Sequence, residues 1–489
     1  MIFKLLIQTK KILEIKYTLE YNTLEYKDGD NMFYGRKKEL EKLEKEYLKN
    51  NSFCSIYGTR RIGKTSLINE FIANKKHIMF QAKEVSNNDN LKYFSFKILD
   101  AFNRNDEYVY SSWEKAFDAA ISFFNGDKGV IVIDEYPYLV KSYEGISSII
   151  QNVYDNKLKN SNIMLILSGS NLSFMEHELN DKQSPLYKRL TLKMKINKMP
   201  FEEAILFLSN YSNEDKIKFL CMFGQYPFYL SKINENLSFE ENLKELLFNE
   251  NSILLDCPKL LLSNSSREQS FYNSILLYLA GKKKSLTELS KLMNEEVTKV
   301  NKYMKTLTDA QIVIKKEMFN SKRQSYYYIE DPVLRFYYQF LLNNIDKIEA
   351  GFGETLFERL KDDINLFISY SFEDVAISYM EGLSISGKLG GIYYPIQNLI
   401  IEKSELNRSI EIDGIARDED SLLVLECKFT NKKRTMNDFS KMVQNTSIKM
   451  FSNIKKFDYY IISKNGFEEN LLNLNDKNLH LITLDDMFK

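Results

Sequence analysis

From Phe33 onward the chain alternates between two hydrophobic periods. Apolar residues at helical spacing predict a helix over Arg36 to Asn50, and the short apolar run Ser52 to Tyr57 predicts a strand. A turn follows, then a helix over Lys64 to Asn74, a strand over His77 to Ala82, and helical stretches through Asn125. Val130 to Asp134 and Ile163 to Ser168 read as two further strands with a helix between them. Runs such as VIVID and IMLILS are apolar on both faces, so these strands belong to a parallel sheet covered by helices on each side. Residues 191–262 read as mostly helical, with FEEAILFL and IKFLCMF at helical period, and suit a small lid.

The pattern changes at about residue 268. FYNSILLYLAG is an apolar helix ending at Gly281, and SLTELSKLM opens on a Ser285 cap with Glu288 three residues later. EEVTKVNKYMKTLTDAQ forms a third helix, and IVIKKEMFNSKRQSYYYI reads as a two-strand hairpin around Asn320 and Ser321. Three helices and a hairpin predict a winged helix-turn-helix. The remainder, from Asp331, begins helical and ends in alternating strands and helices. The chain thus reads as an α/β protein with an N-terminal extension lacking fixed structure (1–31), a nucleotide-binding domain (32–198), a helical lid (199–265), a winged helix (266–330) and a third α/β unit (331–489).

Composition narrows the function classes. The 489 residues are 44% hydrophobic and 27% charged, the balance of a globular chain with several cores. Lys plus Arg and Asp plus Glu are each 67, so contact with nucleic acid must come from a local patch. One such patch exists: Lys282 to Arg323 carries 11 basic against 5 acidic residues. Four scattered cysteines and three histidines, none paired at ligand spacing, argue against a disulfide scaffold and a zinc site and fit the reducing cytoplasm. No apolar run is long enough for a membrane span, and the Lys-interrupted N-terminus does not read as a signal peptide.

The sharpest chemical signal is Gly58-Thr59-Arg60-Arg61-Ile62-Gly63-Lys64-Thr65, which fits G-x-x-x-x-G-K-[ST] between a predicted strand and a predicted helix. Glycines let the backbone wrap a polyphosphate, Lys64 reaches the β and γ phosphates of ATP, and Thr65, followed by Ser66, opens the helix and ligates Mg²⁺. The strand Val130 to Asp134 ends in Asp134-Glu135, placing Asp134 to hold the Mg²⁺ shell and Glu135 to polarise the attacking water. After the next strand, Ser170 or Asn171 is positioned either to sense the γ-phosphate or to cap the following helix.

YGRKKELEKLE, SIYGTRRIGKTSLINEF, VIVIDEYPYL, LILSGSNLSFME, SPLYKRLT and GQYPFYL together resemble the archaeal and bacterial ATPases of the STAND branch of AAA+ proteins over residues 33–250. The resemblance implies that Gly35-Arg36 and Pro227, after Gly224, line the nucleotide pocket. It also implies a γ-phosphate sensor or finger at Arg189, within PLYKR, where Lys188 stands in place of the usual Gly.

Farther on, Asp413 precedes a predicted hairpin, and Glu426-Cys427-Lys428 ends the next strand. Alternation puts Glu426 and Lys428 on one face, and a hairpin through Asp418 to Ser421 brings Asp413 beside them. Two carboxylates and an ammonium on one patch can hold Mg²⁺ and activate a water. The pattern resembles the PD-(D/E)xK nuclease core, which implies a further acid ligand at Glu373 on the preceding helix. IEDPVLRFYYQFL, at Ile329 to Leu341, is similar to the segment that introduces such a domain in the STAND ATPases. The expectation is an ATP-driven switch that gates a Mg²⁺-dependent nuclease-like domain acting on DNA; the alternative is a regulator that binds DNA or protein without cutting. Homo-oligomerisation stays open.

Overall fold

The structure, a computed structural model, describes residues 33–255, 266–319, 321–401 and 404–489. The expected unstructured extension 1–31, the last ten residues of the expected lid and the hairpin residue Asn320 lie outside the described residues. Of the unit Met1–Gly35, only Phe33 to Gly35 are described; everything below concerns the unit Arg36–Lys489.

Five parallel strands form its first sheet: β1 (Phe53–Tyr57), β2 (His77–Gln81), β3 (Gly129–Asp134), β4 (Ile163–Gly169) and β5 (Leu192–Lys195), in the order β2-β3-β4-β1-β5. Every residue of β1, β3 and β4 is buried, as the two-faced apolar runs require of central strands. Ser86 and Ser112 cap the helices Asn87–Ala101 and Trp113–Phe124, whose Phe94, Trp113 and Phe117 pack together over β2 and β3. Insertion of β4 between β1 and β3 puts the ends of three strands side by side, with Tyr57 in register with Gly169 and Ile133 with Leu167. The segment Leu192–Lys195 is an edge strand, not part of a helical lid. Its alternating polar and apolar residues fit one buried and one wet face.

The helices after β5 are not a free-standing lid. Asn213–Phe223 packs along the 25-residue helix Lys361–Ile385. Phe201 meets Tyr379 and Phe488 with ring centroids 5.4 and 5.5 Å apart, and Gln225 donates to Ser378 at 2.8 Å. Phe201, Cys221 and Phe223 are almost wholly excluded from water, a gain of roughly 1.5–3 kcal/mol for each large apolar side chain.

Helices Ser266–Gly281, Leu286–Met293 and Val297–Asp309 precede a hairpin of β6 (Val313–Met318) and β7 (Ser321–Ile329). The second helix carries the predicted Ser285–Glu288 capping box. A second five-stranded sheet closes the chain, with strands β8 (Gln397–Ile401), β9 (Ile410–Asp418), β10 (Ser421–Lys428), β11 (Lys456–Ser463) and β12 (Leu479–Thr483) in sequence order. Pairing is antiparallel from β8 to β10 and parallel from β10 to β12. No helix among the described residues is long and apolar enough to cross a membrane.

Candidate functional site

The phosphate loop leaves β1 at Gly58, whose missing side chain is a spatial necessity: a Cβ there would lie 2.4 Å from the Ile196 carbonyl oxygen. Arg61 (φ 69°) and Gly63 (φ 88°) are both left-handed, so the backbone curls around a concavity at the N-terminus of the helix Lys64–Ile72. Lys64 is buried, and its Nζ donates to the Gly58 and Thr59 carbonyls at 2.9 Å each. Burial lowers its pKa, and Glu135 and Asp134 oppose that fall. A buried ammonium held by neutral carbonyls beneath a curled backbone suits a polyphosphate anion. Thr65 Oγ1 donates to Asp134 Oδ2 at 3.0 Å, so two hard oxygen ligands stand together, as Mg²⁺ requires. Ser66 is exposed on the same helical turn.

Glu135 is left-handed (φ 52°) and its carboxylate accepts from Ser170 Oγ at 2.8 Å and Ser170 N at 3.3 Å. Insertion of β4 is what brings Ser170 to Glu135. Asn171 takes the capping role, accepting from Phe174 N at 3.0 Å. Arg36 is buried and clasps the loop from below: Nη2 donates to the Ile62 carbonyl at 3.0 Å and to the Asn197 carbonyl at 2.7 Å. Gly35, just before it, has φ 70°. Arg189 is committed elsewhere, its guanidinium paired with Asp155 at 2.8 Å and donating to the Pro185 carbonyl, so action on a phosphate requires leaving that pair. Lys188 adopts φ 61°, which gives a physical reason for Gly being usual there in the resembled family.

From the far side, Pro227 lies against Gly63, and Phe228 N donates to the Arg61 carbonyl at 3.4 Å. The Arg61 guanidinium donates to Tyr229 Oη and, at 3.2 Å, to Asp331 Oδ2, and Tyr229 Oη donates to the same Asp331 oxygen at 2.6 Å. Neither partner was legible as a site residue. Only the Asp-Pro pair at 331–332 hinted at a helix start there.

The second candidate site lies on β9 and β10. Asp413 is buried, and its Oδ2 accepts from Cys427 N at 2.9 Å and Lys428 Nζ at 2.7 Å; Lys428 also pairs with Glu426 at 2.8 Å. Asn398 on β8 donates to the Asp413 carbonyl at 2.6 Å and to Glu373 at 3.2 Å. Burial and then Asp413 push Glu373 up to about 8 and Glu426 up to about 7. Burial would lower the Lys428 pKa, but Asp413 and Glu426 raise it above its ordinary value. Glu373, Asp413 and Glu426 were expected to share Mg²⁺. Among the described residues no three His, Cys, Asp or Glu side chains converge for one ion, because the Lys428 ammonium stands between the Asp413 and Glu426 carboxylates. As arranged, these residues do not fit a three-carboxylate metal centre.

Sequence reading also missed how the basic patch divides. Lys299, Lys302 and Lys305 are exposed on Val297–Asp309. Lys283 instead turns to Asn398 at 2.5 Å, and burial lowers the pKa of Lys316, which faces Glu330, Asp374 and Glu381.

Comparison with known proteins agrees with the phosphate loop. Residues 33–233 match a family described as an ATPase domain predominantly from Archaea, and residues 337–439 match a family of archaeal and bacterial proteins of unknown function. The uncharacterized ATP-binding protein MJ0423 of Methanocaldococcus jannaschii is 50% identical over 49 residues, 10% of this chain and 83% of that protein. The Walker-type ATPase PABY2304 of Pyrococcus abyssi shares the fold at a TM-score of 0.50 and 15% identity, over 65% of this chain and 99% of its own. The uncharacterized protein MJECL04 of Methanocaldococcus jannaschii is 30% identical over 409 residues, 82% of this chain and 88% of that protein. With a phosphate loop on the β1 end and likeness across nearly all of MJECL04, this chain belongs to the same family as that protein and is a P-loop ATPase of the archaeal kind.

Proposed function

We propose that this ATPase is a nucleotide-driven switch whose output is the C-terminal mixed-sheet unit, acting on DNA. The observation that carries the reading is the pair of hydrogen bonds from Arg61 and Tyr229 to Asp331, which join the phosphate loop to the first residues of that unit. In this reading Gly58, Gly63, Lys64 and Ser66 cradle the phosphates, while Arg36 and Pro227 brace the loop and Gly35 adjoins the pocket. Thr65 and Asp134 hold Mg²⁺, which when bound draws negative charge from the phosphates. Glu135 orients the attacking water and Ser170 holds Glu135 in place; Arg189 becomes available only on leaving Asp155. Lys299, Lys302 and Lys305, on the third helix of the winged-helix-like unit, face duplex phosphates.

For the output, Asp413, Glu426 and Lys428 keep the nuclease-like layout, with Glu373 beside them. A second reading, a regulator that binds DNA or protein without cutting it, is favoured by Lys428 standing between the two carboxylates. The purified full chain, given Mg²⁺ or Mn²⁺, ATP and duplex or single-stranded DNA, separates the two. Cleavage that is lost in Asp413→Ala and Glu426→Ala, with ATP hydrolysis retained, supports the nuclease. Salt-sensitive DNA binding without any cleavage supports the regulator. Absence of both DNA binding and cleavage removes DNA from the reading.

A further inference from the structure

The Arg61–Tyr229–Asp331 cluster does more than join two parts of the fold. Arg61 sits three residues before Lys64, inside the loop that wraps the phosphates, and its guanidinium is held by a carboxylate that arrives from 270 residues farther along the chain. The pair is largely sheltered, with the Arg61 and Asp331 side chains 13% and 16% exposed. The Tyr229 ring also lies under the guanidinium, 5.3 Å from its centroid. An arginine fork matches phosphate oxygens as well as it matches a carboxylate.

We infer that Asp331 is a positioning residue of the nucleotide site: with Tyr229 it draws Arg61 toward the lid, and Arg61 turns from Asp331 toward the phosphates when the loop is filled. This deepens the switch reading above and rests on it. Asp331 has a second duty, since its other oxygen, Oδ1, accepts from Leu334 N at 3.2 Å and caps the helix Pro332–Phe336. One residue beyond Leu334, Arg335 pairs with Asp374 at 2.8 Å, and Asp374 neighbours Glu373 in the C-terminal cluster. Release of Arg61 therefore alters the charge balance on the residue that starts this helix, and the change has a short covalent and ionic route to Glu373. Coupling of this kind is reciprocal: the factor by which Asp331 weakens nucleotide binding is the factor by which nucleotide weakens the grip of Asp331 on Arg61.

Asp331→Asn isolates the effect, because Asn caps a helix about as well as Asp but lacks the charge that competes for Arg61. Calorimetric titration of the full chain with ATP and with ADP is expected to show tighter binding by Asp331→Asn, about fivefold or more, the usual lower range of a coupling factor. Hydrogen exchange gives a readout independent of turnover: in the wild type, ATP is expected to speed exchange of the amides of residues 333–341, and in Asp331→Asn that response should shrink. Tyr229→Phe removes one hydroxyl from the cluster and is expected to shift ATP affinity in the same direction by less. Unchanged or weaker affinity in Asp331→Asn overturns the inference, as does exchange over 333–341 that ignores ATP. A wild-type protein that fails to bind ATP at all defeats the switch reading itself, a result distinct from either.

Discussion

Replacing Gly58 by Ala tests whether the phosphate loop works by position as well as by charge. The added Cβ would meet the Ile196 carbonyl oxygen at 2.4 Å, and real Cβ contacts essentially never fall below 3.0 Å, so the backbone must give by at least 0.6 Å. The obstacle does not yield easily, since the Ile196 amide donates to the Tyr57 carbonyl at 2.7 Å and fixes this segment to β1. Overpacking of this kind costs about 1–3 kcal/mol, so a chain of this size should lose only a few degrees of Tm. The loop, however, is displaced at its root, and a misplacement of about 1 Å can lower turnover roughly a hundredfold. The expected outcome is a fall in kcat/KM for ATP of that order, measured well below the Tm, with Lys64, Thr65 and Asp134 untouched. Turnover within about threefold of wild type would refute the argument that Gly58 is required by the approach of Ile196.

Lys64→Ala removes the buried ammonium and should weaken ATP binding by at least about 2 kcal/mol, roughly thirtyfold in Kd by calorimetry; an unchanged Kd would remove it from the phosphate site. Glu135→Gln should keep ATP affinity and lower the hydrolysis rate by about a hundredfold or more, whereas wild-type turnover would exclude Glu135 from positioning water. Glu373 bears on pH. Its folded pKa of about 8 lies above the ordinary carboxylate value, so the fold favours its protonated form, and that contribution is complete below about pH 4 and is lost as pH rises through 8. Glu373→Gln imitates the protonated form and should flatten the decline in Tm between pH 5 and pH 9; parallel curves for the two proteins would contradict this.

Local chemistry was legible in the sequence, and distant partnership was not. The phosphate loop announces itself because its glycines, lysine and threonine are contiguous and lie between an apolar strand and a helix. The hairpin that sets Asp413 beside Glu426 and Lys428 follows from alternation over a short span, and β9 and β10 pair across Asp418 and Ser421 as that reading required. The order of the first sheet was not legible, because β4 enters between β1 and β3 by pairing that no local pattern encodes. For the same reason Asp331 gave no sign that it would reach Arg61, nor Asp155 that it would hold Arg189. Short β5 was hidden among helical-looking neighbours, since four residues with one buried side chain carry little periodic signal. Lys283 and Lys316 looked like members of one solvated basic run, and only the packed fold turns them toward Asn398 and a group of acids.

The aromatic contact between Phe201 and Phe488 bears on how the protein is made. Phe201 begins the helices that follow the first sheet, yet one of its neighbours is synthesised almost 290 residues later. During translation the first sheet can collapse early, since its strands and covering helices are all complete by residue 195. The helices around Phe201 and Phe223 cannot bury their apolar faces until the ribosome has delivered Lys361–Ile385 and then Phe488. At about 5–20 residues per second that wait lasts roughly fifteen to sixty seconds, during which a sticky surface stands open beside an already folded phosphate loop. Chaperone dependence in the cell, and aggregation of fragments that stop short of residue 488, are the natural costs of closing the fold with its last helical turn.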